Sequence, residues 1–132
     1  CGLAPAAPGV QPAAMKPRFT ALPFFVYPVR DMVRARRFYG EVLGLTETAN
    51  WENQWIEYDV GAGTLAISAF MTDATPGRAG AAALETDEFE AAVAHLKAQG
   101  VTFAFEPADT GVCRFARFLD SEGNHLVLHR KH

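Results

Sequence analysis

FFVYPVRDMVRARRFYGEVLGL, residues 24–45, decides the fold. It opens as an apolar strand, Phe24 to Val29, and turns at Arg30-Asp31 into an amphipathic helix. Met32, Ala35, Phe38, Tyr39, Val42 and Leu43 recur there at the three- and four-residue spacing of a buried stripe. Asp31 can accept from an unpaired N–H of the first turn, and Gly44 can close the last turn in the left-handed conformation. The pattern then returns. Thr86-Asp87 opens a second helix with Phe89, Ala92, Val93 and Leu96 on one stripe, and Gly100-Val101 ends it. Asp31 to Asp87 and Gly44 to Gly100 are both 56 positions. Trp55 to Ile67 likewise parallels Ala116 to Leu128, with Asp59 matching Asp120 and Leu65 matching Leu126 at an offset of 61. A repeated helix followed by a repeated hairpin means one strand-helix-strand-strand-strand unit used twice.

The expected fold is α+β. Two tandem βαβββ modules, residues 22–72 and 79–132, form curved mixed sheets around a cavity, with the helices outside. Residues 1–21 are Pro/Ala-rich at their start and predict a flexible tail. The sequence begins at Cys1, which leaves two readings: an extension ahead of a natural start at Met15, or a lipoprotein acylated on Cys1. The first makes the protein cytoplasmic and the second lipid-anchored.

At 132 residues the chain has one domain's length, and 49% hydrophobic with 20% charged residues is a folding composition. A net charge of −3 argues against nucleic acid, which needs clustered Lys and Arg to displace counterions. No run of 18 apolar residues is present to span a membrane. Two cysteines make no disulfide framework, and Cys113 reads as a small hydrophobe in a strand.

Strand alternation sorts the side chains. Phe25, Tyr27, Val29, Leu65, Ile67, Ala82, Leu84, Leu126 and Leu128 share an almost wholly apolar face, suited to the helices. The opposite face carries Phe24, Ser68, Glu85, His125, Val127 and His129 among small apolar residues, and Trp55 and Glu57 share a face of their strand. That mixed face predicts a small-molecule cavity, for which Phe24, Trp55, Phe70 and Phe118 supply stacking surface. Glu85 and His129, placed close by aligning Ala81 with Val127, are the candidates for a general base and for holding a polar group of the ligand.

The motifs at 24–45, ETDEFEAAVAHLKAQGV at 85–101 and FLDSEGNHLVLH at 118–129 resemble the vicinal oxygen chelate superfamily over roughly residues 22 to 130. That superfamily includes glyoxalase I, bleomycin-resistance proteins, fosfomycin-resistance enzymes and extradiol dioxygenases. The resemblance implies paired βαβββ modules, frequent homodimers and, in many members, a divalent metal. The positions of the metal ligands correspond here to Phe24, Ala66, Ala81 and Val127, all apolar. A divalent ion needs nitrogen or oxygen donors at about 2 Å, so no metal and no cofactor are expected. Shifting the alignment by one residue brings in Phe25, Leu65 and Ala82, which ligate no better. Three functions follow: sequestration of a small organic molecule, a metal-independent lyase or isomerase with a Glu/His base, or a glyoxalase-type lyase with Glu85, His125 and His129 as unusual ligands.

Overall fold

The computed structural model describes residues 16–18, 20–78 and 80–132, so Cys1 and most of the expected tail lie outside the described residues. The first half runs β1 (Phe25–Pro28), α1 (Met32–Arg37) continued by a π-helical turn (Phe38–Val42), β2 (Thr46–Trp51), β3 (Trp55–Val60) and β4 (Gly63–Ser68). The second runs β5 (Ala82–Glu85), α2 (Phe89–Ala98), β6 (Phe103–Asp109), β7 (Cys113–Leu119) and β8 (His125–Lys131). Each half makes a four-stranded sheet, in the orders β1-β4-β3-β2 and β5-β8-β7-β6. The pairs β1/β4 and β5/β8 are parallel and the others antiparallel, giving two mixed sheets of an α+β fold. Among the described residues no helix is long and apolar enough to cross a membrane.

The apolar face lies where alternation puts it. Tyr27, Val29, Leu65, Ile67, Leu126 and Leu128 are all buried and share one core with Met32, Ala35, Phe38 and Tyr39 of the first helix and Phe89 and Leu96 of α2. Asp31 caps α1 by accepting from Arg34 N at 3.1 Å. Gly44 and Gly100 end the two helices at φ 72° and 78°, a conformation that glycine adopts without steric cost.

Two single-residue differences separate the halves. The cap of α2 is Glu88, not Asp87, and its side chain makes no capping bond; Thr86 Oγ1 accepts from Glu88 N instead, at 3.1 Å. Asp31 and Glu88 are thus 57 positions apart, while the closing glycines are 56 apart. The first helix holds one more residue, and its π turn absorbs it, with Leu43 N bonding Phe38 O at 2.9 Å. The hairpins differ the other way. Tyr58 pairs with Leu65, but Phe118 pairs with Leu126, so the second turn is one residue longer. The structural counterpart of Asp59 is therefore Leu119 and not Asp120.

That extra residue builds the joint between the halves. Asp120 accepts from Tyr39 Oη at 2.9 Å, from Glu122 N and Asn124 N at 2.8 Å, and from Asn124 Nδ2 at 2.9 Å. Burial, then the Asp120 charge, pushes the Tyr39 phenol far above its ordinary value of 10.0, so it stays a donor. Asn124 donates to Pro28 O at 3.0 Å and accepts from Gly77 N at 2.7 Å. Glu122 accepts from Arg30 N at 2.8 Å and Asp31 N at 2.7 Å, placing a carboxylate at the start of α1. From the first half, the Tyr27 hydroxyl reaches back, donating to His125 O at 2.5 Å and accepting from Ala82 N at 2.6 Å.

Candidate functional site

The face of each sheet turned away from the helices is its open face. On the first sheet, register aligns Val26, Ala66 and Glu57 in one row and Pro28, Ser68 and Trp55 in the next. Trp55 Nε1 donates to Glu57 Oε2 at 2.8 Å, and Phe24 meets the Trp55 ring edge-on at 5.6 Å. Three residues expected at the cavity thus stand together. Phe24 is 46% and Phe70 54% exposed. Ser68 is different. It is wholly buried, and its Oγ accepts from Phe70 N at 3.0 Å, because the chain turning past β4 uses the hydroxyl as a local cap. It offers nothing to a ligand.

On the second sheet, Glu85 pairs directly with His129, and Ala83 with Val127. The alignment of Ala81 with Val127 was two residues off. The true register brings the two polar side chains closer still. His129 Nδ1 hydrogen-bonds Glu85 Oε1, and Lys131 N donates to Glu85 Oε2 at 2.8 Å. The His129 bond first, then the Lys131 N–H, hold the Glu85 carboxyl below its ordinary 4.5. Val127 lies between Ala83 and Arg117, and His129 beside Phe115. Phe105, next to Arg117, stacks on Phe115 at 5.1 Å with the planes 14° apart.

Phe118 does not join this surface. It pairs with Leu126, is wholly buried and packs on Phe103, so it belongs to the helix-covered core. Alternation requires this once Val127 faces out: Leu126 and its partner must face in.

His125 lines a recess of about 490 Å³ together with Gly77, Arg78, Gly80, Ala81 and Arg117. Its carbonyl is fixed by the Tyr27 hydroxyl, while its Nδ1 is buried without a partner. Neither Arg78 nor Arg117 stands out in the sequence. The signal for Arg117 was its place two residues from Phe115, on the same face of β7.

These residues do not fit a chelated divalent ion. Ala66 is wholly buried and carries no donor, and Phe24, Ala81 and Val127 carry none either. The set Glu85, His125 and His129 also fails. Four residues along one strand separate the two histidines by about 13 Å, while a metal needs donors at about 2 Å. Among the described residues no group of three His, Cys, Asp or Glu side chains converges. Cys113 is half-buried in β7, with its Sγ 3.4 Å from Thr110 Oγ1.

Comparison with known proteins agrees with this architecture. Similar solved structures include TnmS3, an antibiotic binding protein from Streptomyces sp. CB03234, at 25% identity and TM-score 0.78 over 89% of this chain and 100% of that one. A glyoxalase/bleomycin resistance protein from the same Streptomyces strain is 28% identical, with TM-score 0.69 over 80% and 96% of the two chains. An integron cassette protein from the mobile metagenome of V. cholerae is 25% identical, with TM-score 0.66 over 88% and 98%. No curated protein matches the sequence. The family model of the Glyoxalase/Bleomycin resistance protein/Dioxygenase superfamily matches residues 21–128, and with nearly the whole described chain covered, this protein belongs to that superfamily.

Proposed function

We propose that the protein binds a small organic molecule on the open faces of its sheets, without a resident metal ion. The observation that carries this reading is aromatic surface left in solvent beside a few fixed polar groups. Phe24, Phe70 and Phe105 are 46%, 54% and 45% exposed, and the Trp55–Glu57 and Glu85–His129 pairs adjoin the two faces. Such a surface gives stacking area with a few orienting bonds. The description of TnmS3 as an antibiotic binding protein supports the same reading. Native mass spectrometry of protein taken from its own host tests it, and the expected result is a co-purifying organic molecule. In a companion arm, protein incubated with excess Zn²⁺, Ni²⁺ or Mn²⁺ and desalted retains no stoichiometric ion and shows no lactoylglutathione lyase activity. One tightly held ion per chain ends the metal-free part of the proposal.

The Glu85–His129 pair favours a second reading, a metal-independent lyase or isomerase. Glu85 engages Nδ1 and so orients the imidazole, leaving Nε2 to take a proton from a bound substrate. Turnover of the bound molecule that His129→Ala removes while binding persists decides for catalysis. We also propose a homodimer, in which a second copy covers part of the exposed aromatic surface. Light scattering giving a monomer mass at micromolar concentration refutes it.

A further inference from the structure

We propose that the recess formed by Arg78, Arg117 and His125 is an anion subsite, and that it selects ligands bearing a carboxylate on a flat apolar body. This inference rests on the small-molecule reading above and specifies the chemistry of its ligand.

The recess is lined by three groups able to donate to an anion and by no acid. Gly77, Gly80 and Ala81 complete it and take up little room, leaving about 490 Å³, within the range of small-molecule sites. Several basic side chains elsewhere on the described surface are answered by carboxylates. Arg36 meets Glu47 at 3.0 Å, Arg37 meets Glu41 at 3.6 Å, Lys97 meets Glu106 at 2.7 Å, and Arg114 is paired with Glu90. Among the described residues Arg78 and Arg117 have no such partner. The other basic recess, at the C-terminus, is lined by Asp109, which His132 engages at 2.9 Å. There a carboxylate is part of the lining and already engages one of the basic groups, whereas the recess of Arg78, Arg117 and His125 is lined by none.

His125 adds direction. Its Nδ1 is buried without a partner, so Nε2 is the ring nitrogen left to meet a ligand, and in the tautomer protonated there it is a donor. Nε2–H can then serve the recess as its ring donor. The Tyr27 bond to His125 O holds this stretch of backbone in place. Two guanidinium forks and one N–H suit a planar carboxylate, which accepts bidentate bonds from arginine.

The body of the ligand follows from what adjoins Arg117. Val127 is its partner on β8 and Phe105 its partner on β6, and Phe105 stacks on Phe115 as a flat shelf. An acid head in the recess therefore continues into an apolar, flat body over Val127 and Phe105.

The test titrates the full chain by calorimetry with 2-naphthoate and with 2-naphthamide, which presents the same flat body without charge. The native chain should prefer naphthoate by about tenfold or more, the scale of hydrogen bonds to a charged group. Arg117→Gln should lower naphthoate to the level of naphthamide and leave naphthamide unchanged. Arg78→Gln should act in the same direction, and Arg117→Lys should keep part of the preference. Far-UV circular dichroism and urea midpoints establish that each variant is folded. Equal affinity of the native chain for both compounds overturns the subsite while leaving small-molecule binding in place. So does loss of both compounds in a folded Arg117→Gln, because the residue would then be shaping the shelf rather than pairing charge. Failure of both compounds to bind at millimolar concentration counts against the small-molecule reading itself and removes the subsite with it.

Discussion

Val60 to Gly63 turns the chain between the paired Asp59 and Thr64 of the first sheet, while Asp120 to Asn124 lies between Leu119 and His125 of the second. The first turn is short, and Asp59 beside it is exposed. The second is one residue longer, and its ends, Asp120 and Asn124, are 7% and 1% exposed. They collect bonds from Tyr39, Pro28 and Gly77 in the other half and its linker. Two copies of one unit have diverged so that one turn merely reverses the chain and the other holds the halves together. The open faces have diverged in the same way. Glu57 of the first sheet and Arg117 of the second occupy matching places, across from Ala66 and Val127, and carry opposite charge.

Asp120→Ala should break the comparison hardest. It strands Tyr39 Oη and the Asn124 amide in a dry joint and should cost about 3 kcal/mol in urea unfolding, the cost of leaving buried donors unpaired. Asp59→Ala, on the surface, should stay within about 0.5 kcal/mol. Equal losses would show that the second turn is no more a joint than the first.

Asn124→Ala removes the bonds to Pro28 O and from Gly77 N, and about 2 kcal/mol is expected in the same assay. Gly77 sharpens this contact further. At φ 86° it packs so that an added Cβ would lie 3.0 Å from Gly123 O, and alanine there should weaken the joint as well.

Tyr27 has as its counterpart Leu84, since these pair with Ile67 and Leu128 at matching places. Tyr27→Phe deletes a bridge that the second half does not reciprocate, and about 1 kcal/mol should be lost. Burial raises the Tyr27 phenol to about 12, from an ordinary 10.0. Its contribution is therefore complete below pH 10.0 and is lost as the pH rises through about 12. The stability difference between Tyr27→Phe and the native chain should shrink over that alkaline window.

The smallest effect belongs to Glu85, whose counterpart is Pro28. Its carboxyl is held below 4.5 in the fold, so its contribution is present above that value and lost as the pH falls through the lower folded value. Glu85→Gln should lower the neutral plateau slightly and flatten the acid limb, so that the two stability profiles converge at low pH. A native profile already flat there would discard the His129 bond as an energetic feature.

The repeat was legible because helix stripes, closing glycines and hairpin alternation are local signals. Asp31, Gly44, Gly100 and the inward leucines follow from spacing alone. The one-residue differences were hidden by compensation. Taking Asp87 for the cap made the helices look equal in length and concealed the residue that the π turn absorbs. Aligning Asp59 with Asp120 hid the longer second turn. The parallel β5/β8 register was also out of reach, since no turn connects those strands to fix it, and Glu85 was placed near His129 for an inexact reason. For the proposed site, alternation alone accounts for the sheet positions of Trp55, Glu57, Glu85, His129 and Val127. Phe118 faces the core because it pairs with the inward Leu126, a register that the longer second turn sets, and Ser68 is buried by chain folding beyond its strand.

The joint around Asp120 also sets a timetable for synthesis. Its bonds link residues 81 to 96 positions apart: Tyr39 with Asp120, Asp31 and Arg30 with Glu122, and Pro28 with Asn124. Contacts of such sequence separation form late, after long loops have closed. Chains emerge N-terminus first, so the first half leaves the ribosome with Tyr39 lacking its acceptor and the start of α1 lacking the Glu122 carboxylate. Only when residues 120–124 have been added can the earliest strand and helix settle. A nascent chain halted before Asp120 should accordingly remain open to proteases and chaperones along its first half, however complete that half looks in sequence.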